Sequence, residues 1–203
     1  MKFSHLLLSF VTILLASSMP AMAQQHAQSH GKVVTVGQDA IDNDQYAAAV
    51  TTKMRTEDIL KQQESEIVAN AMLSYAKKYI GRPYRTGTSG PSTFDCSGFT
   101  SYVFHQFGYD LLRSSRSQYT QGDNVSRDEA QPGDLIFFSG SRAGKTVGHV
   151  GIITEINPIT GTISFIHAST SKGVRIDTLN DAYYSRRYIG IKRILSAEDL
   201  GSL

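Results

Sequence analysis

The chain has one cysteine, Cys96, in 203 residues. A lone thiol cannot close a disulfide within its own chain, so no internal cross-link staples the fold. Lysine and arginine form no dense block. The formal net charge is only +2, and no aromatic-basic stripe accompanies it, which excludes nucleic acid as the main partner. Beyond the first residues no apolar run approaches the roughly 20 residues needed to span a bilayer. Cys96 belongs to no CxxC pair, so a compact zinc motif is excluded there. There is no internal repeat. At 40% hydrophobic and 19% charged residues, the chain is an ordinary globular protein with a core.

What is present starts at the N-terminus. Lys2 precedes an apolar run from Leu6 to Ala16, and Ala21-Met22-Ala23 follows. This is the pattern of a secretory leader over residues 1–23 with a small-x-small cleavage site. No cysteine lies near that site to carry a lipid. The expected product is exported to the periplasm or beyond, has no lipid anchor and keeps no transmembrane segment.

Residues 24–55 are polar and read as a linker or mobile arm. The folded domain is expected over 56–197, with a tail at 198–203. A helix is expected from Thr56, with Ile59, Leu60, Ile67, Val68, Met72, Tyr75 and Tyr79 as its apolar residues, ending at Gly81 and Pro83. A second helix is expected in "DCSGFTSYVFHQFG", where Phe99, Val103 and Phe107 lie four apart. Asp95 is its natural N-cap and Gly108 its stop. "DLIFF", "GHVGIITEI", "GTISFIHAS", "GVRIDTL" and "YIGIKRIL" read as strands, the second and third joined as a hairpin at Asn157-Pro158. Helices first and an antiparallel sheet second make an α+β fold.

In the first turn of a helix, Cys96 would face unpaired N–H groups and the positive end of the macrodipole, which favour a thiolate. A thiol nucleophile also needs a base and a group to orient it. His26 and His30 fall in the arm, and His105 falls on the solvent side of its helix. His149 in "GHVG" and His167 in "IHAS" remain, and strand pairing would bring them together. An inert buried thiol with two structural histidines, or a zinc site of Cys96, His149, His167 and a carboxylate, would use the same residues.

The pieces "YIGRPYRTG", "FDCSGFTSYVF", "RSSRSQY", "PGDLIFF", "GHVGIIT", "FIHASTSKGVRI" and "YIGIKRIL", in this order, resemble the NlpC-type branch of papain-like cysteine peptidases, which are bacterial cell-wall endopeptidases. The resemblance implies a papain-like fold with N-terminal helices packed on a central antiparallel sheet. It implies Cys96 as nucleophile, His149 as general base and then acid, and His167 as the group that orients His149. Tyr84 would help hold an oxyanion, and Asp95 and Ser97 would contact substrate. No metal or other cofactor is implied. The implied partner is the peptidoglycan stem peptide, cut between D-glutamate and a diamino acid. A muramoyl-L-alanine amidase and a catalytically silent wall-binding module are the competing readings. One position departs from the family pattern: Leu112 precedes the arginine of "RSS", where relatives often have proline.

Overall fold

A computed structural model describes residues 43–140 and 144–195. The leader, the first part of the expected arm and the tail at 198–203 lie outside these residues. Among the described residues, no helix is long and apolar enough to cross a membrane.

The first helix, α1 (Asn43–Lys77), begins well before Thr56. Residues 43–55, expected as part of an arm, are therefore helical, and the boundary expected at 55/56 falls inside one element. The reason is local. The stretch is polar, but it holds Ala47, Ala48 and Ala49 and contains no glycine or proline. Polarity speaks against a core, not against a helix. Packing begins only near the other end, where Ala69, Met72, Leu73 and Ala76 are buried. Ile59, Leu60 and Ile67 stand in solvent.

The second helix, α2 (Cys96–His105), starts where its cap predicts. Asp95 is extended, and its Oδ1 accepts the N–H of Gly98 at 2.6 Å. Helix α3 (Ser115–Gln118) is one turn, capped by Ser114. The strands are β1 (Asp123–Val125), β2 (Leu135–Ser139), β3 (Val147–Ile156), β4 (Ile163–Ser169), β5 (Gly173–Thr178) and β6 (Tyr188–Arg193), with the short helix α4 (Ala182–Ser185) before β6. They form one sheet in the order β1-β6-β2-β3-β4-β5, and every pairing is antiparallel. The α+β architecture expected from the sequence is the one observed.

The β3–β4 hairpin turns at Asn157, as its sequence predicts. The Asn157 side-chain oxygen accepts the N–H groups of Ile159 and Thr160, each at 2.9 Å. Alternation along the strands builds two apolar layers. Phe137, Val150, Ile152, Ile166 and Ala168 face α1 and α2. Ile136, Phe138, Ile153 and Phe165 face the other way, with Tyr184 of α4 packed on them. The sheet is thus covered on both faces, and α2 is held against β3 and β4 from one of them.

Candidate active site

Cys96 occupies the first position of α2, and its thiol is nearly buried. The loop before it is drawn tightly over the helix start. A methyl group on Gly98 would come within 2.1 Å of the Thr88 carbonyl oxygen, so glycine is required for that approach. From behind, the fully buried Gln118 fixes the turn. Its amide nitrogen donates to the carbonyls of Ser97 and Leu112, and its oxygen accepts from Thr100 Oγ1 at 2.8 Å.

The sulfur reaches the sheet. Backbone N–H groups of Ser97, Val150 and Cys96 itself surround it, and Val150 is the residue after His149. The β3–β4 register runs from Ile152 opposite Ile166 toward the turn, leaving Val150 without a β4 partner. That opening in the ladder is where α2 delivers its thiol. Burial first, and then the Asp95 carboxylate, push the thiol above its ordinary pKa, while the three N–H groups pull against them. The helix start alone predicts a more acidic thiol; burial and the neighbouring carboxylate reverse that expectation.

His149 and His167 sit on the face of the sheet away from α2, on neighbouring strands. His149 Nε2 and His167 Nδ1 are 2.8 Å apart, and the rings are perpendicular. Burial lowers the pKa of both imidazoles. For His149 the neighbouring His167 adds to the shift. For His167 the Asp177 carboxylate opposes it. At neutral pH the thiol and both imidazoles therefore rest uncharged. With their facing nitrogens spent on each other, the two rings do not converge on a shared metal position. Among the described residues, no group of three histidine, cysteine or acidic side chains forms such a site.

Tyr84, Asp95 and Ser97 lie on the Cys96 side. Asp95 is taken up by structure. Its carboxylate accepts from Gly98 N and Gly87 N and receives a two-pronged Arg113 guanidinium at 3.0 and 2.6 Å. Burial works to raise its pKa, but Arg113 and the two N–H groups outweigh it and the carboxyl is held below its usual range. Ser97 Oγ lies between Asp95 Oδ1 and Arg113 Nη1. Tyr84 is half-buried in a short bridge to Phe94. Burial raises its hydroxyl pKa, and the nearby Cys96 and Asp95 add to the shift. His105 is exposed and bonds Asp110 at 2.9 Å, away from the site.

Sequence reasoning missed Arg113, Asp177 and Tyr184. The alternation in "GVRIDT" puts Arg175 and Asp177 on one face, but only the strand register shows that this is the face of His167. Beside the imidazole pair lies a cleft of about 370 Å³, lined also by Lys172, Arg175, Arg187, Asp181 and Tyr183.

The chain resembles known proteins over this same region. The model of the NlpC/P60 family matches residues 81–193. The probable endopeptidase p60 of Listeria grayi is 41% identical over 132 residues, which is 65% of this chain and 24% of that protein. Murein DD-endopeptidase MepS/Murein LD-carboxypeptidase of Escherichia coli K12 is 41% identical over 132 residues, covering 64% of this chain and 65% of that protein. The chain thus spans about a quarter of the Listeria relative and just under two thirds of the Escherichia one. Among solved structures, the NlpC/p60 domain of the peptidoglycan hydrolase SagA superposes with a TM-score of 0.51 at 32% identity, covering 62% of this chain and 98% of that one. An NlpC/P60 family protein from Bacillus cereus ATCC 10987 gives a TM-score of 0.56 at 31% identity, covering 63% of this chain and 40% of that one.

Proposed function

The chain belongs to the NlpC/P60 family, and from that premise we propose that it is a cysteine endopeptidase acting on peptidoglycan stem peptides. One observation carries the reading: the lone thiol, at a helix start, abuts the backbone beside His149, whose ring is bonded to His167.

His149 takes the Cys96 proton as the sulfur attacks the scissile carbonyl carbon. The resulting oxyanion is held by backbone N–H at the start of α2 and by the Tyr84 hydroxyl, donors aimed at charge that develops only in the transition state. The intermediate collapses with loss of the amine, which takes its proton from the His149 imidazolium. Water, deprotonated by His149, then attacks the thioester, releasing the carboxylate product and restoring the thiol. His167 keeps the His149 ring turned so that its free nitrogen serves the sulfur.

The bond proposed is the one between the side-chain carboxyl of D-glutamate and the diamino acid. The cleft beside the imidazoles carries Lys172, Arg175 and Arg187 against Asp177 and Asp181, a small positive excess that suits a carboxylate-bearing stem. A second reading, cleavage of a D,D cross-link, is favoured by the activity for which the Escherichia relative is named. Export through the leader at residues 1–23 would deliver the enzyme to either substrate.

Digestion of defined stem peptides and of cross-linked muropeptides by wild type and Cys96→Ala, read by mass, tests all of this. The expected result is a product opened at the γ-D-glutamyl bond and no product from the variant. Full activity in Cys96→Ala overturns the mechanism; a product opened only at the cross-link replaces the first bond with the second.

A further inference from the structure

The hydrogen-bond line through the two imidazoles does not stop at His167. On its far side, His167 Nε2 lies 3.0 Å from Asp177 Oδ2. Tyr184 Oη donates to the same oxygen at 2.9 Å and lies 3.2 Å from His167 Nε2. The other carboxylate oxygen, Oδ1, takes Arg175 Nη2 at 2.5 Å. Register explains the assembly. His167 pairs with Arg175 across β4 and β5, and Asp177, opposite Phe165, shares their face. Asp177 is mostly buried and His167 is 1% exposed. Seven ionisable groups face this cluster: His149 from β3, Arg175 from β5, Lys172 from the loop before β5, Asp181, Tyr183 and Tyr184 at α4, and Arg187 beyond it.

We propose that Asp177 is a positioning residue that sets the tautomers of both imidazoles, with Tyr184 and Arg175 holding it in place. This rests on the thiol–imidazole mechanism proposed above. A carboxylate only accepts hydrogen bonds, so His167 must carry its proton on Nε2. A neutral His167 then has Nδ1 free to accept. His149 must therefore donate from its own Nε2, and its Nδ1 is left as the unprotonated nitrogen. One carboxylate thus fixes which nitrogen of His149 serves as the base, two residues away. When His149 becomes an imidazolium during the reaction, the same carboxylate supplies the nearest buried negative charge along the line.

Asparagine at this position cannot satisfy the arrangement. If its amide nitrogen faces Arg175, donor meets donor. If it faces His167 and Tyr184, it favours the opposite tautomer. The test measures kcat, KM and the pH–rate profile of Asp177→Asn and Tyr184→Phe, beside Cys96→Ala as the control. It also records ¹⁵N spectra of the imidazoles in the inactive Cys96→Ala background. The expected result for Asp177→Asn is a fall in kcat of roughly 10- to 100-fold with a smaller change in KM, the size seen when the hydrogen-bond partner that orients a metal-binding histidine is lost. Its acid limb moves to lower pH, and His167 loses its Nε2–H preference. Tyr184→Phe keeps the ring but removes a donor that partly neutralises Asp177, so its acid limb moves the other way, to higher pH, and by less. If Asp177→Asn does not fold, the Tyr184→Phe limb and spectra decide. An unchanged acid limb and unchanged tautomers overturn the proposal while leaving the mechanism intact. Activity in Cys96→Ala overturns the mechanism itself.

Discussion

Gly151 lies beside His167 with no room between them. A methyl group built on Gly151 would stand 3.1 Å from His167 Cβ, 2.9 Å from the Phe165 ring and 3.0 Å from the Ile166 carbonyl oxygen. The backbone of β3 must come this close for the His149 and His167 rings to meet.

The first prediction follows from that contact. Gly151→Ala overpacks the site, at a cost of about 1–3 kcal/mol in stability. The methyl pushes on the residue that holds His149, so activity should fall further than stability, by at least about tenfold. Thermal melting and kcat measured on the same preparation check it. A variant that loses stability but keeps its kcat would show that the imidazole pair tolerates a shifted strand.

The second concerns the carboxylate next to the nucleophile. Asp95 raises the pKa of the Cys96 thiol. Asp95→Asn keeps a good N-cap while removing the charge. The thiol should therefore become more acidic, and the rate of iodoacetamide labelling should rise at a lower pH than in wild type. The Asn amide nitrogen would face the donors Gly87 N and Arg113 Nη2 around a side chain only 11% exposed, so the loss should exceed the roughly 1 kcal/mol of an exposed ion pair. A labelling curve unmoved, or moved upward, would contradict this.

The third is a pH dependence with its sign worked out. Both imidazoles have folded-state pKa values below the ordinary value near 6.5. Below pH 6.5 the unfolded chain therefore holds more protons than the folded one, and stability falls as the pH falls. Every tenfold difference in proton affinity between the folded and unfolded chain is worth about 1.4 kcal/mol. The thiol is displaced the other way, so stability also falls above about pH 8.5, where the unfolded chain gives up its thiol proton first. Stability should peak between those limits. The acid limb of kcat/KM should lie below 6.5, since His149 remains an unprotonated base there. Denaturant titrations and a pH–rate profile check both.

The parts of the fold that were legible in the sequence are those governed by near neighbours. Asp95 before Cys96 and Gly108 after Phe107 marked α2 because caps act over three or four residues. Asn157-Pro158 between two β-branched runs marked the hairpin, and hence the neighbourhood of His149 and His167. The start of α1 was not legible, because the described residues of its first half are exposed and carry no apolar period. Asp177 was not legible either. Its place behind His167 depends on the register of β4 with β5, which no local pattern records. The raised pKa of Cys96 was hidden for a similar reason: residue types announce a helix start, but not how deeply it is buried.

The strand order has a consequence in the order of synthesis. Among the described strands β6 is made last, yet it lies inside the sheet, between β1 and β2. A growing chain can assemble β2 through β5 as successive neighbours, but until residue 193 has emerged β2 remains an open edge and β1 has no partner. Closing that gap is a non-local step, and such steps come slowly. A ribosome-bound or interrupted chain can therefore hold Cys96, His149 and His167 without having closed the sheet that supports them.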